Sequence, residues 1–129
     1  MDVRVLVVED SLQARQMIRT IVQTRDWTIC GEAEDGWAGI SQFEKLKPDV
    51  VIVDFTMPGI NGIETARRMS TLDPDVPLIL FTLFDVEQLN TAARAAGFCA
   101  TVSKLHAWDL VGAIESAVSH ANPHDKPIR

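Results

Sequence analysis

The chain has 129 residues, with 12 basic and 18 acidic side chains for a formal net charge of −6, and 47% of its residues are hydrophobic. That length makes one domain, large enough to bury roughly two thirds of the surface its unfolded chain exposes. The acidic balance opposes direct contact with a nucleic-acid backbone, because that affinity is built from Lys and Arg neutralising phosphates.

The N-terminus enters Val3-Arg4-Val5-Leu6-Val7-Val8 directly and reaches the acids Glu9-Asp10. There is neither a signal-peptide core nor an apolar stretch of about 18 residues able to span a bilayer, so the expectation is a cytoplasmic protein without a membrane partner. Val3 to Val8 predicts a buried strand. Ala14, Met17, Ile18, Ile21 and Val22 then recur at helical spacing, with Arg15, Arg19 and Gln23 on the other face of an amphipathic helix. Thr28 to Ala33 predicts a shorter, more polar strand at an edge, and Asp35-Gly36 leads into a helix that buries Ile40 and Phe43 and stops before Pro48. The two cysteines, Cys30 and Cys99, lie in apolar segments without a CxxC pattern, so they read as small core residues of a reducing compartment and offer no zinc site.

Val50-Val51-Ile52-Val53 is the central strand, four consecutive β-branched residues of the kind buried on both faces of a parallel sheet. It ends in Asp54. A Pro58-Gly59 pair and an Asn61-Gly62 pair turn the backbone just beyond it. Glu64 to Leu72 predicts a third helix, Leu78 to Phe81 a fourth strand closing on Thr82, and Val86 to Ala96 an Ala-rich helix stopped by Gly97. Phe98 to Val102 predicts a fifth strand ending near Lys104, and Trp108, Val111, Ile114, Ala117 and Val118 mark a last helix. Residues 121–129, with two prolines and mixed charge, read as a frayed tail or the start of a linker after a domain over residues 1–120.

Strand and helix alternate five times, which predicts an α/β fold: a flavodoxin-like (βα)5 doubly wound parallel sheet of order 2-1-3-4-5, in three layers α/β/α. In that order strands 1 and 3 are neighbours whose helices leave on opposite faces, and the crevice opened at their carboxyl ends is rimmed by Glu9, Asp10 and Asp54. Three converging carboxylates repel one another, and a hard divalent ion is the natural remedy. Mg²⁺ (or Mn²⁺) takes carboxylates, backbone oxygen and water and leaves positions for a phosphate. Thr82 and Lys104 fall on the same rim, where a hydroxyl and an ammonium suit a small trianion such as a transferring phosphoryl group. Asp54 is then the candidate nucleophile, giving an acyl phosphate. Each residue alone has a plainer role: Glu9 and Asp10 at a helix N-terminus, Asp54 tying down a turn, Thr82 in a strand, Lys104 in solvent. Five such residues at the ends of four strands are harder to explain separately.

Residues 3–119 resemble the receiver domain of bacterial two-component response regulators. The match is carried by the acid pair Glu9-Asp10, the stretch Asp54-Phe55-Thr56-Met57-Pro58-Gly59-Ile60-Asn61-Gly62, and Thr82 and Lys104 in matching order. The resemblance implies that Asp54 accepts phosphate from a sensor histidine kinase or a histidine phosphotransfer protein. It further implies that Glu9, Asp10, Asp54 and the backbone carbonyl of Thr56 hold Mg²⁺, that Thr82 binds a phosphoryl oxygen and moves on activation, and that Lys104 pairs with the phosphoryl group. Downstream partners would read the face formed by the fourth helix, fifth strand and fifth helix. The chain departs from the family pattern at Leu83, where a small residue is usual, at Thr101, where an aromatic is usual, and at Leu105, where proline often follows the lysine. Those changes bear on the route from phosphate to output surface.

Trp37 either overhangs the site or packs beside it, and Trp108 is either a partner contact or core. Two other functions share such a fold. A flavin or nucleotide binder needs glycine-rich backbone at a helix N-terminus, which Glu9-Asp10-Ser11-Leu12-Gln13 lacks. A phosphohydrolase working through an aspartyl phosphate usually needs a second acid two residues beyond the nucleophile, where this chain has Thr56. The expectation is therefore a signalling switch and not an enzyme acting on external substrates.

Overall fold

A computed structural model describes residues 2–121 of the chain. The predicted tail beyond residue 121 lies outside the described residues. The elements alternate as β1 (Val3–Val8), α1 (Leu12–Gln23), β2 (Trp27–Ala33), α2 (Gly36–Leu46), β3 (Val50–Val53), α3 (Gly62–Leu72), β4 (Leu78–Thr82), α4 (Val86–Ala96), β5 (Phe98–Ser103) and α5 (Asp109–Ala121). The strands are parallel in the order β2-β1-β3-β4-β5, the flavodoxin-like arrangement predicted from the sequence.

Alternation along each strand splits the core into two layers. Leu6, Val8, Val51, Val53, Leu78 and Leu80 face Phe43, Ala66, Met69 and Ala93 from α2, α3 and α4. Val5, Val7, Val50, Ile52, Ile79 and Phe81 face Ile18, Ile21, Leu110 and Ile114 from α1 and α5. The three central strands are closed on both sides, which is why they read as unbroken apolar runs.

The local signals act as their chemistry requires. Ser11, Asp35, Asn61 and Asp85 cap α1, α2, α3 and α4, each accepting a backbone N–H of the first turn. Gly97 ends α4 at φ 112°, a left-handed conformation that glycine adopts without a steric penalty.

Several expectations are corrected. β2 is an edge strand but has seven residues, longer than any other, because it pairs with β1 along its whole length through one register shift. α3 starts two residues early, where Asn61 supplies its cap. A short 3-10 turn, Lys104–His106, precedes α5, so Trp108 lies ahead of that helix and is exposed, as is Met17 on α1. Cys30 is half-buried and Cys99, on the edge strand β5, is exposed. Arg15 does not point into solvent: its side chain is only 11% exposed.

Candidate functional site

Four parallel strand ends build the site. The register pairs Val8 with Val53, so the residues that follow, Glu9 and Asp54, emerge side by side, and the Asp54 N–H donates to the Val8 carbonyl at 3.0 Å. Thr82 closes β4 and pairs with Ser103 at the end of β5, which puts Lys104 next in line. The acids Glu9, Asp10 and Asp54 each present an oxygen, all within 4.8 Å of one another. Asp10 is exposed, whereas Glu9 and Asp54 are buried.

Lys104 bridges the two buried acids, its Nζ 2.7 Å from Glu9 Oε1 and 3.0 Å from Asp54 Oδ2. Toward Asp54 the ammonium donates a hydrogen bond. Toward Glu9 it forms a close ion pair with the buried Oε1. Glu9 Oε2 accepts from the Ser11 N–H at 2.9 Å, and Asp54 Oδ1 accepts from the Phe55 N–H at 2.7 Å. Burial pushes the Glu9 carboxyl up from 4.5 to about 7, and the charge of Asp54 adds to this, while Lys104 and the Ser11 N–H oppose it. Burial also pulls the Lys104 ammonium down, but its contacts with Glu9 and Asp54 outweigh that and its pKa is raised.

The loop that follows Asp54 is held closely. Gly62 donates its N–H to the Phe55 carbonyl at 2.8 Å, and a Cβ at Gly62 would stand 2.2 Å from the Asp54 carbonyl oxygen, so the return of the chain past the acid requires glycine. Thr56 is exposed within this loop. Trp37 does not join the core. It is half-exposed, lies against Gly59, and carries the Arg68 guanidinium 4.6 Å above its ring.

Thr82 is buried, and its hydroxyl accepts the Phe84 N–H at 3.1 Å. Leu83 and Leu105 stand exposed on the neighbouring loops. Thr101 sits opposite Leu80 and lines an open groove with Val86, Glu87, Asn90 and Arg94 of α4, so the side of β5 where an aromatic is usual is occupied by a short polar side chain.

Two features escape the sequence. Phe55 and Phe84 meet with ring centroids 5.2 Å apart, joining the loop after Asp54 to the loop after Thr82. Arg15 donates from Nη1 to the Glu9 carbonyl at 2.8 Å. Its position one turn beyond the Ser11 cap was the available signal.

The donor set suits a hard cation. Three carboxylates converge, two of them buried, and among the described residues neither His nor Cys belongs to the cluster.

The family model of the response regulator receiver domain matches residues 5–115. The chemotaxis protein CheY of Thermotoga maritima is 36% identical over 70 residues, which are 54% of this chain and 58% of that protein. The match thus spans little more than half the length of that relative, and it covers 32% of the transcriptional regulatory protein YdfI of Bacillus subtilis, 34% identical over 67 residues, or 51% of this chain. Among solved structures, the response regulator domain of Thermotoga maritima CheB superposes with a TM-score of 0.85 at 28% identity, over 92% of this chain and 98% of that chain. A LuxR-family two-component response regulator from Aurantimonas sp. SI85-9A1 gives a TM-score of 0.88 at 26% identity, over 97% of this chain and 93% of that chain.

Proposed function

The chain belongs to the response regulator receiver family, and from that membership we propose that it is a phosphorylation-dependent switch whose acceptor is Asp54. The observation that supports this best is the ammonium of Lys104 set between Glu9 and Asp54 at the carboxyl ends of β1 and β3. It is a charge placed where a phosphoryl group would arrive.

Asp54 supplies the nucleophile. An oxygen lone pair of its carboxylate forms the new O–P bond as the N–P bond of a donor phosphohistidine breaks, and that bonding pair returns to the imidazole nitrogen. Lys104 exchanges its contact with the carboxylate for one with the phosphoryl oxygens, and the Thr82 hydroxyl, free to donate while it accepts from Phe84, binds another. Asp10, Asp54, Glu9 and the Thr56 carbonyl would hold Mg²⁺. When bound, the ion supplies divalent charge that offsets the negative charge of the incoming group.

The donor is a sensor histidine kinase or a histidine phosphotransfer protein, and the phosphorylated form is read by a downstream protein or output domain on the α4–β5–α5 face. The chain does not turn over external substrates, works in the cytoplasm, and makes no direct contact with nucleic acid or membrane. No helix among the described residues is long and apolar enough to cross a bilayer.

Incubation with MgCl2 and acetyl phosphate, followed by intact-protein mass spectrometry, tests the reading. A single phosphate adduct, labile to base and hydroxylamine and dependent on Mg²⁺, is expected. A chain that stays unmodified contradicts it.

A further inference from the structure

The acids Glu9 and Asp10 stand in the short link between β1 and α1, so their directions are set by how that backbone is held. The Glu9 N–H donates to the Ala33 carbonyl at 2.8 Å. Ser11 fixes the far end, its N–H on Glu9 Oε2 and its Oγ accepting the Ala14 N–H. Between these anchors lies the peptide joining Glu9 to Asp10, and its carbonyl is the oxygen that Arg15 Nη1 grips at 2.8 Å. Asp10 itself has no side-chain partner among the described residues. Rotation of that peptide would therefore swing its carboxylate without resistance from the side chain.

Arg15 is itself fixed from the other side. Its Nε lies 3.3 Å from Glu32 Oε1 and its Nη2 3.8 Å from Glu34 Oε1. Glu32 is in turn clamped by Arg19 through two hydrogen bonds of 2.7 Å. A guanidinium is a rigid planar fork, so the ion pair of Nε with the partly buried Glu32 on β2 aims Nη1 at the Glu9 carbonyl.

We propose that Arg15 is a positioning residue of the cation site: it holds the Glu9–Asp10 peptide in the orientation that brings the Asp10 carboxylate to Glu9 and Asp54, and so sets affinity for the divalent ion. The proposal rests on the reading of this cluster as a Mg²⁺ site. It opposes what charge alone would do. A guanidinium beside a cation site repels the ion, so removing it would tighten binding if electrostatics ruled, whereas loss of positioning weakens binding.

The test is calorimetric titration of MgCl2 into the full chain as wild type, Arg15→Met and Arg15→Lys, with thermal unfolding of each in metal-free buffer. Groups that orient a metal ligand without touching the metal typically alter affinity by 10–100-fold, and Arg15 acts through backbone, so a rise in Kd of roughly tenfold is expected for Arg15→Met. Arg15→Lys keeps the charge but loses the fork, and its Kd should fall between the two. An unchanged or lower Kd in Arg15→Met overturns the proposal, even if the melting temperature drops, since that pattern is purely structural. Should Arg15→Met fail to fold, an unchanged Kd in Arg15→Lys overturns it equally. A wild-type chain that takes up no Mg²⁺ overturns the metal reading itself and the proposal with it.

Discussion

Removing metal and raising the pH should destabilise this protein through Glu9. Its carboxyl is buried between Asp54 and Lys104, and burial raises its pKa from 4.5 to about 7. The folded chain thus keeps a proton that the unfolded chain has already lost, and stability falls as pH rises across that interval. The contribution is fully present below about pH 4.5 and gone once pH passes 7. Each pKa unit corresponds to about 1.4 kcal/mol, so the whole interval amounts to about 3 kcal/mol. At about 4 °C per kcal/mol for a domain of this size, the melting temperature should drop on the order of 10 °C. Lys104, whose pKa is raised, stays charged throughout and adds no slope. The assay is thermal or urea unfolding in EDTA from pH 5 to pH 8, for wild type and for Glu9→Gln, whose amide cannot ionise. The difference between the two curves isolates Glu9 from every other titrating group. Excess MgCl2 should flatten the wild-type curve, because an ion bound to the ionised cluster stabilises the folded state by mass action. Parallel curves for wild type and Glu9→Gln would refute the reasoning.

Asp10→Ala should lose Mg²⁺ binding in calorimetry, yet its metal-free melting temperature should hold or rise, because one of three mutually repelling carboxylates is gone; a large drop would make Asp10 structural. Gly62→Ala should cost about 1–3 kcal/mol in urea unfolding, since the added Cβ meets the Asp54 carbonyl and neither backbone can yield freely. Leu83→Ala should chiefly change the rates of phosphorylation or dephosphorylation in stopped-flow measurements, whereas Thr101→Tyr, which fills the groove against α4, should change partner affinity more than either rate. Unaltered rates in Leu83→Ala, together with phosphorylation slowed in Thr101→Tyr as strongly as by loss of Lys104, would contradict that division.

Much of this architecture is written locally in the chain. Val50 to Val53 is apolar on both sides because both faces of β3 are covered, and that pattern alone predicts a parallel sheet and places Asp54 at its rim. Glu9 follows from the same logic on β1, and Thr82 on β4. What stayed hidden depends on contacts between elements far apart in sequence. Arg15 falls on the polar face of α1 by helical spacing, but a long side chain with a charged tip can fold back, and here the Glu9 carbonyl, Glu32 and Glu34 draw it in. Cys99 reads as core because its neighbours are apolar, yet it is the residue skipped where the register of β5 against β4 shifts between Phe98 and Ala100, and it is exposed. The contact of Phe55 with Phe84 joins two loops, and no periodicity reports on loop geometry.

The central claim is that Asp54 takes the phosphoryl group, and the most direct test compares wild type with Asp54→Asn after Mg²⁺ and acetyl phosphate, mapping any adduct by peptide mass spectrometry after borohydride trapping. The account predicts a single base-labile phosphate adduct on the wild-type chain, which borohydride reduces to homoserine at position 54, and none in Asp54→Asn. A full adduct in the variant, or one mapped to another residue in the wild type, would contradict it.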